Sequence, residues 1–149
     1  MEPAARSHVF VVRDGKILVL QQAGGMRWWE HPGGTLESGE SEQDAPVRET
    51  FEETGLRIEA PDLLRTWSYR NARGDHVRCY AFVAEAPEGG IHLSAEHTAY
   101  AWMSIDDYEL QYCNEGFDEA IPHRADFFAG MRENCYIARK WLFTRRVAS

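Results

Sequence analysis

Asp14-Gly15 is the feature that most narrows what this chain can become. It lies between two apolar runs, His8–Arg13 and Lys16–Gln22. Asp-Gly suits a type I′ turn, because both central residues of that turn need positive φ. A two-residue turn joins only antiparallel strands, so a purely parallel sheet is excluded. A second pair of strands is read over Leu63–Arg70 and His76–Ala84, joined by the turn Asn71–Asp75. Tyr100–Ile105 reads as a further short strand, with Ser104 or Asp106 placed to cap a short helix after it.

Helical spacing appears twice. Ser41–Thr54 reads as one helix, and His123 to about Phe143 as another, with Phe127, Phe128, Met131, Cys135, Ala138 and Leu142 on its apolar stripe. The order strands, helix, strands, helix predicts an α/β chain, with a mixed β-sheet covered by helices on both faces. A chain of 149 residues without repeats or linker-like stretches is expected to be one domain, 1–149. At that length about 68–70% of the unfolded surface is buried, so the core needs no staples.

Composition removes several functional classes. The net charge of −8 would repel the phosphates of a long nucleic acid, so no such partner is expected. It does not exclude a small anion, because a divalent cation can reverse the local field. No apolar run approaches the roughly 20 residues of a membrane span, and Met1–Ser7 lacks a signal-peptide core. The cytosol is therefore the expected compartment. The widely spaced Cys79, Cys113 and Cys135 suggest neither a disulfide framework nor a zinc site, and read as small core-filling thiols.

The chemistry gathers on the first helix. Between Glu42 and Glu53 lie five acids against one base, Arg48. Glu49, Glu52 and Glu53 stand at i, i+3 and i+4, on one helix face, where like charges repel unless something neutralises them. Arg48 can pair with Glu52 at i+4, but one guanidinium cannot balance three carboxylates. A magnesium ion can, since it prefers carboxylate oxygens and shares its shell with substrate phosphates. Taken alone, the cluster reads equally as a solvated acidic face.

The flanking residues separate these readings. Gly34, five residues, Glu40, seven residues, then Arg48-Glu49-Thr50-Phe51-Glu52-Glu53-Thr54-Gly55-Leu56 resembles the Nudix box, G-x5-E-x7-R-E-U-x-E-E-x-G-U, with U a bulky aliphatic. Thr50 at the first U is a mild departure. The resemblance covers 23 residues and implies a Nudix-type α/β/α sandwich. It implies metal binding by Glu49, Glu52 and Glu53, with the Gly34 carbonyl as a backbone ligand. It also gives Arg48 the role of orienting the glutamates and Glu40 that of a supporting acid. Catalysis would use Glu53 with Arg48 and a general base. Glu96 is the choice for that base, because Glu96-His97 followed by Trp102 is similar to a loop in several Nudix hydrolases. The implied activity is pyrophosphatase-type hydrolysis of a diphosphate linkage with Mg²⁺, or Mn²⁺, acting on a small nucleotide, with a lean towards nucleoside triphosphates. A non-catalytic nucleotide-sensing module on the same fold is the alternative. Oligomeric state is left open, a homodimer included.

Other candidates lie outside the box. Arg70 and Arg78, on facing strands, could grip a phosphate. Trp28 could stack on a base or pack its loop. Trp67 and Tyr69 share one strand face and Ser68 and Arg70 the other, and either face could line the cleft. His31, beside a Pro-Gly turn, reads as structural. Pro46 predicts a late helix start, with regular helix by Val47, since a proline inside the helix would cost about 3 kcal/mol.

Overall fold

The computed structural model describes residues 4–113 and 125–148, with side chains through residue 145. The opening hairpin is formed by β1 (Ala4–Arg13) and β2 (Lys16–Gln22). Asp14 and Gly15 take φ of 52° and 76°, both positive, as a type I′ turn demands. β1 begins at Ala4 rather than at His8 because its first half has partners of its own. Arg6–His8 pairs antiparallel with β4 (Gly33–Thr35), while the other edge of β1 runs parallel to β6 (His76–Glu85).

β6 pairs antiparallel with β5 (Asp62–Arg70), and β2 pairs with both β3 (Trp29–Glu30) and β7 (His97–Met103). Among the described residues the result is one open mixed sheet of seven strands. β7 starts before the expected Tyr100 because β2 offers it an edge as far as Gln22, which pairs with His97. It stops at Met103, where Ser104 caps α2 (Ile105–Leu110) by accepting from the Asp107 N–H at 3.1 Å.

Both faces of the sheet are buried, and β1 shows why its middle reads as an unbroken apolar run. Phe10 and Val12 pack with Ile17, Val19 and Val83 against α2 and α3 (Ala125–Ala148), through Ile105, Phe128, Met131, Cys135 and Ala138. Val9 and Val11 pack on the other side with Leu18, Leu20, Leu56 and Ile58, and with Val47 of α1 (Ala45–Thr54). A strand covered on both faces needs apolar side chains at successive positions.

α1 starts late, as Pro46 requires. Asp44 is the N-cap and Pro46 falls in the first turn, where its missing N–H costs nothing. Ser41 instead closes the preceding turn, its hydroxyl accepting from the Asp44 N–H at 3.1 Å. Gly55 ends the helix in the left-handed region, with φ of 78°. Of the thiols, Cys79 and Cys135 are buried and pushed up to about 12 by that burial, whereas Cys113 is exposed and fills no core.

α3 decides which face of β5 is covered. Trp67 and Tyr69 turn towards it, leaving Ser68 and Arg70 exposed. The contact is close at Gly130, where an added Cβ would lie 2.4 Å from Trp67 Nε1. Alanine normally stabilises a helix interior relative to glycine by about 0.5–1 kcal/mol. Here the overpacked indole should reverse that sign, so Gly130→Ala is expected to lower stability by about 1–3 kcal/mol in urea denaturation.

Candidate active site

Gly33 and Gly34 position the site because β4 approaches other groups too closely for a side chain. A Cβ on Gly34 would sit 2.6 Å from the nearest oxygen of Glu49. Glu49 and Glu53 of α1 therefore lie directly against this strand, and the Gly33 N–H donates to Glu53 Oε1 at 3.1 Å. Both acids line a cleft of about 450 Å³ together with Gly34, Arg48, Trp28 and Glu96.

Arg48 organises the acids at the rim. Its Nε donates to Glu40 Oε2 at 2.6 Å and its Nη2 to Glu40 Oε1 at 2.9 Å, a bidentate pair. The same guanidinium lies 3.0 Å from Glu49 and 3.1 Å from Glu52. Its hydrogen bonds hold Glu40 below the usual carboxylate range, and the acids in turn push Arg48 up. Glu52 is exposed and spends one oxygen on Arg48. Arg48 thus touches three of the box glutamates but not Glu53.

Glu53 is the electrostatically costly member. Burial pushes its carboxyl up to about 8, and Glu49, Glu30 and Glu96 add to the shift against the Gly33 hydrogen bond. Burial also raises Glu49, with Glu52 and Glu96 reinforcing it against Arg48. Glu96, Glu53 and His97 each bring a ligand atom within 4.8 Å of the others. Crowded carboxylate oxygens that resist ionisation together are the donor set a hard divalent cation satisfies, so the residues fit Mg²⁺ or Mn²⁺.

Neighbouring residues complete the cleft, and several of them carry no signal in the sequence. His97 Nε2 bonds Glu30 Oε1 at 2.8 Å, while its Nδ1 lies 3.8 Å from Glu53. Burial raises Glu30, but the hydrogen bonds from His97 and Gln22 outweigh it and leave the carboxyl lowered. Trp28 does pack its loop, stacking on Tyr112 at 6.1 Å and meeting Phe128 at 5.4 Å, yet it also lines the cleft. Tyr69 and Phe127 line it too, their rings 5.1 Å apart. His8 and Tyr112 were invisible as site residues because only tertiary contact brings them here; adjacency to Glu96 was the one available pointer to His97.

Arg70 and Arg78 are not brought to this cleft. Both stand on exposed positions of the β5–β6 hairpin, and Arg70 donates to the Gly74 carbonyl at 2.8 Å, bracing its own turn. Strand alternation put them on one face, but the cleft opens on the other side of β5, where Tyr69 points. His31, expected to be structural, is buried and bonded to Tyr108, and burial lowers it to about 4; its ring also borders the cleft.

A mixed sheet between helices, with a carboxylate cluster on the first helix facing a Gly-Gly strand, defines a hydrolase-type site. The NUDIX domain family model matches residues 1–124. An asymmetrical bis(5'-nucleosyl)-tetraphosphatase of Rattus norvegicus is 34% identical, over 62% of this chain and 66% of its own length. A CTP pyrophosphohydrolase of Escherichia coli K12 is 32% identical, over 68% and 76%. Among solved structures, a MutT NUDIX hydrolase from Burkholderia pseudomallei is similar at 28% identity and TM-score 0.63, covering 71% of this chain and 86% of that one. The chain belongs to the Nudix hydrolase family.

The Glu53 shift sets a pH dependence for the metal-free protein. A folded value near 8 above the ordinary 4.5 means the folded state holds the extra proton between those limits. Stability is therefore lost as pH rises through that window. Glu53→Gln keeps an oxygen for the Gly33 N–H and removes the charge. In EDTA, its Tm advantage over the unaltered protein should be small at pH 5 and grow by several degrees at pH 8, measured by calorimetry.

Gly34→Ala supplies a test of the close approach. The added methyl must displace the Glu49 carboxylate, so divalent-ion affinity by isothermal titration should fall about tenfold or more, an energetic loss of about 1.4 kcal/mol.

Proposed function

We propose that this chain hydrolyses the diphosphate linkage of a nucleoside triphosphate or nucleoside diphosphate derivative, with Mg²⁺ or Mn²⁺ held by Glu49, Glu52 and Glu53 and the Gly34 carbonyl. The observation that carries this reading is the mutually repelling pair of half-buried Glu49 and buried Glu53, set against Gly33-Gly34 in a cleft that also offers aromatic rings. Relatives named as a dinucleoside tetraphosphatase and a CTP pyrophosphohydrolase support a nucleotide substrate. No helix among the described residues is long and apolar enough to cross a membrane.

When bound, the cation supplies charge neutralisation for the phosphoryl oxygens and lowers the pKa of water near it. The chain's own residues do the rest. Arg48 is a positioning residue: it fixes Glu49 and Glu52 through its two Nη atoms while Glu40 anchors its Nε. The Gly33 N–H fixes one oxygen of Glu53, while the second lies 3.8 Å from His97 Nδ1. Glu96 is exposed at the mouth, within 4.8 Å of Glu53, where its carboxylate can take the proton of an attacking water. Among the described residues, Arg6 and Arg48 are the cations that line the cleft, and they replace Arg70 and Arg78 as candidates for contact with the phosphates.

A panel of nucleoside triphosphates, dinucleoside polyphosphates and nucleotide sugars, incubated with Mg²⁺ or Mn²⁺ and analysed by product identification, tests the reading. Turnover of at least one class is expected, lost on chelation. Glu53→Gln and Glu96→Gln should each lower kcat by about 10²-fold or more, the range of a general base. Tight nucleotide binding without turnover of any member would sink the hydrolase reading in favour of a nucleotide sensor.

A further inference from the structure

The cleft contains a second polar array that the glutamate site does not use. His8 Nδ1 lies 2.7 Å from His31 Nε2, His31 Nδ1 lies 2.6 Å from the Tyr108 hydroxyl, and that hydroxyl lies 2.9 Å from the hydroxyl of Tyr112. All four side chains are buried. The two ends of the array, His8 and Tyr112, line the cleft beside Trp28, Tyr69 and Phe127. His8 Nε2 is buried with no hydrogen-bond partner among the described residues. A buried polar atom left unpaired is costly, and a ligand group in the cleft would offset that cost.

Counting protons along the array shows that its ends are coupled. Burial holds His31 near 4 and His8 well below its ordinary value, so both rings are neutral and carry one N–H each. The Tyr108 hydroxyl has one proton and two lone pairs. The His31 backbone N–H, at 3.2 Å, takes one lone pair. Of the two remaining neighbours, one must receive the Tyr108 proton and the other must donate. If Tyr108 donates to His31 Nδ1, the His31 proton sits on Nε2 and points at His8 Nδ1. His8 Nε2 is then an N–H donor, while Tyr112 spends its proton on Tyr108 and keeps only lone pairs. If Tyr108 donates to Tyr112, every step reverses: His8 Nε2 becomes an acceptor and Tyr112 keeps a free O–H.

We propose that His8 and Tyr112 are specificity-determining residues that read the hydrogen-bonding edge of the substrate's nucleobase, always with opposite polarity, one donor and one acceptor. This deepens the nucleotide reading above and rests on it. A base edge offers either an amino group beside a bare ring nitrogen or an oxo group beside a ring N–H, so each edge carries one donor and one acceptor. An array whose protons shift as a unit satisfies both orders. It accepts amino and oxo bases alike and rejects a ligand with no such edge. The rings of Trp28, Tyr69 and Phe127 supply apolar faces for the heterocycle, and stacking is indifferent to which base it is.

The test separates reading from mere support. The probes are AMP, CMP, GMP and UMP, each compared by titration calorimetry with ribose 5-phosphate in Mg²⁺ buffer. The quantity read is the affinity gained by adding a base. In the unaltered protein this gain should be similar for amino and oxo bases, and His8→Leu should reduce it about tenfold for all four. His8→Gln places an amide near the position of Nε2 and should restore it. His8→Asn places an amide near the position of Nδ1, keeps the bond to His31, and should not. A purely structural role predicts the opposite rescue, by asparagine and not by glutamine, and overturns the proposal. It is also overturned if His8→Leu keeps the full gain, or if the unaltered protein turns nucleotides over while gaining nothing from the base. Each of these outcomes leaves the hydrolase reading standing; only failure of nucleotide turnover removes both. Should His8→Leu not fold, the glutamine and asparagine variants, checked by thermal melts, decide the matter between them.

Discussion

The contact of Gly33 with Ser7 is the constraint on which the site depends. A Cβ on Gly33 would fall 2.2 Å from the Ser7 carbonyl oxygen, closer than any side chain can stand. Only a bare backbone lets β4 pair with the first half of β1 there. That pairing turns the Gly33 N–H towards Glu53 and brings Gly34 against Glu49. One short strand therefore joins the sheet to the acidic face of α1. The two cores on either side of β1 hold this junction in place, because Val9 and Val11 anchor the α1 side while Phe10 and Val12 anchor the α3 side.

Electrostatics then divide the box glutamates by depth. Glu40 and Glu52 are satisfied by Arg48, so their charge is compensated within the protein. Glu53 is buried, lies outside the reach of Arg48, and has one backbone N–H for support. Folding therefore resists the ionisation of Glu53 at the position where a cation is useful, and metal binding offsets that resistance. Stability and function pull in opposite directions here, as they commonly do at sites evolved for binding.

The same cleft pairs this charged half with a neutral one. Around His8, His31, Tyr108 and Tyr112, burial removes charge instead of concentrating it, and the hydrogen bonds run in series. Burial serves both halves: it strengthens the field at Glu53 and raises the cost of an unmade hydrogen bond in the array. Trp28 touches both the loop it packs and the cleft it lines, so the alternatives of packing and ligand contact are not exclusive for a side chain of that size.

Much of this was legible in the chain itself. Asp14-Gly15, the apolar runs beside it, Pro46 and Gly55 determined the hairpin and the ends of α1, because turns and caps obey local backbone sterics. The spacing of Glu49, Glu52 and Glu53 put them on one helix face by helical geometry alone. Tertiary structure decided the rest. Which face of β5 meets the cleft depended on α3 covering Trp67 and Tyr69, and that placement left Arg70 and Arg78 outside. His8, distant in sequence from Tyr112, is linked to it by hydrogen bonds through His31 and Tyr108, because the sheet and α2 converge at that point. Local sterics act within a few residues and can be read in order. Cross-chain hydrogen bonds and burial depend on which surfaces pack together, and no short stretch of sequence carries that information.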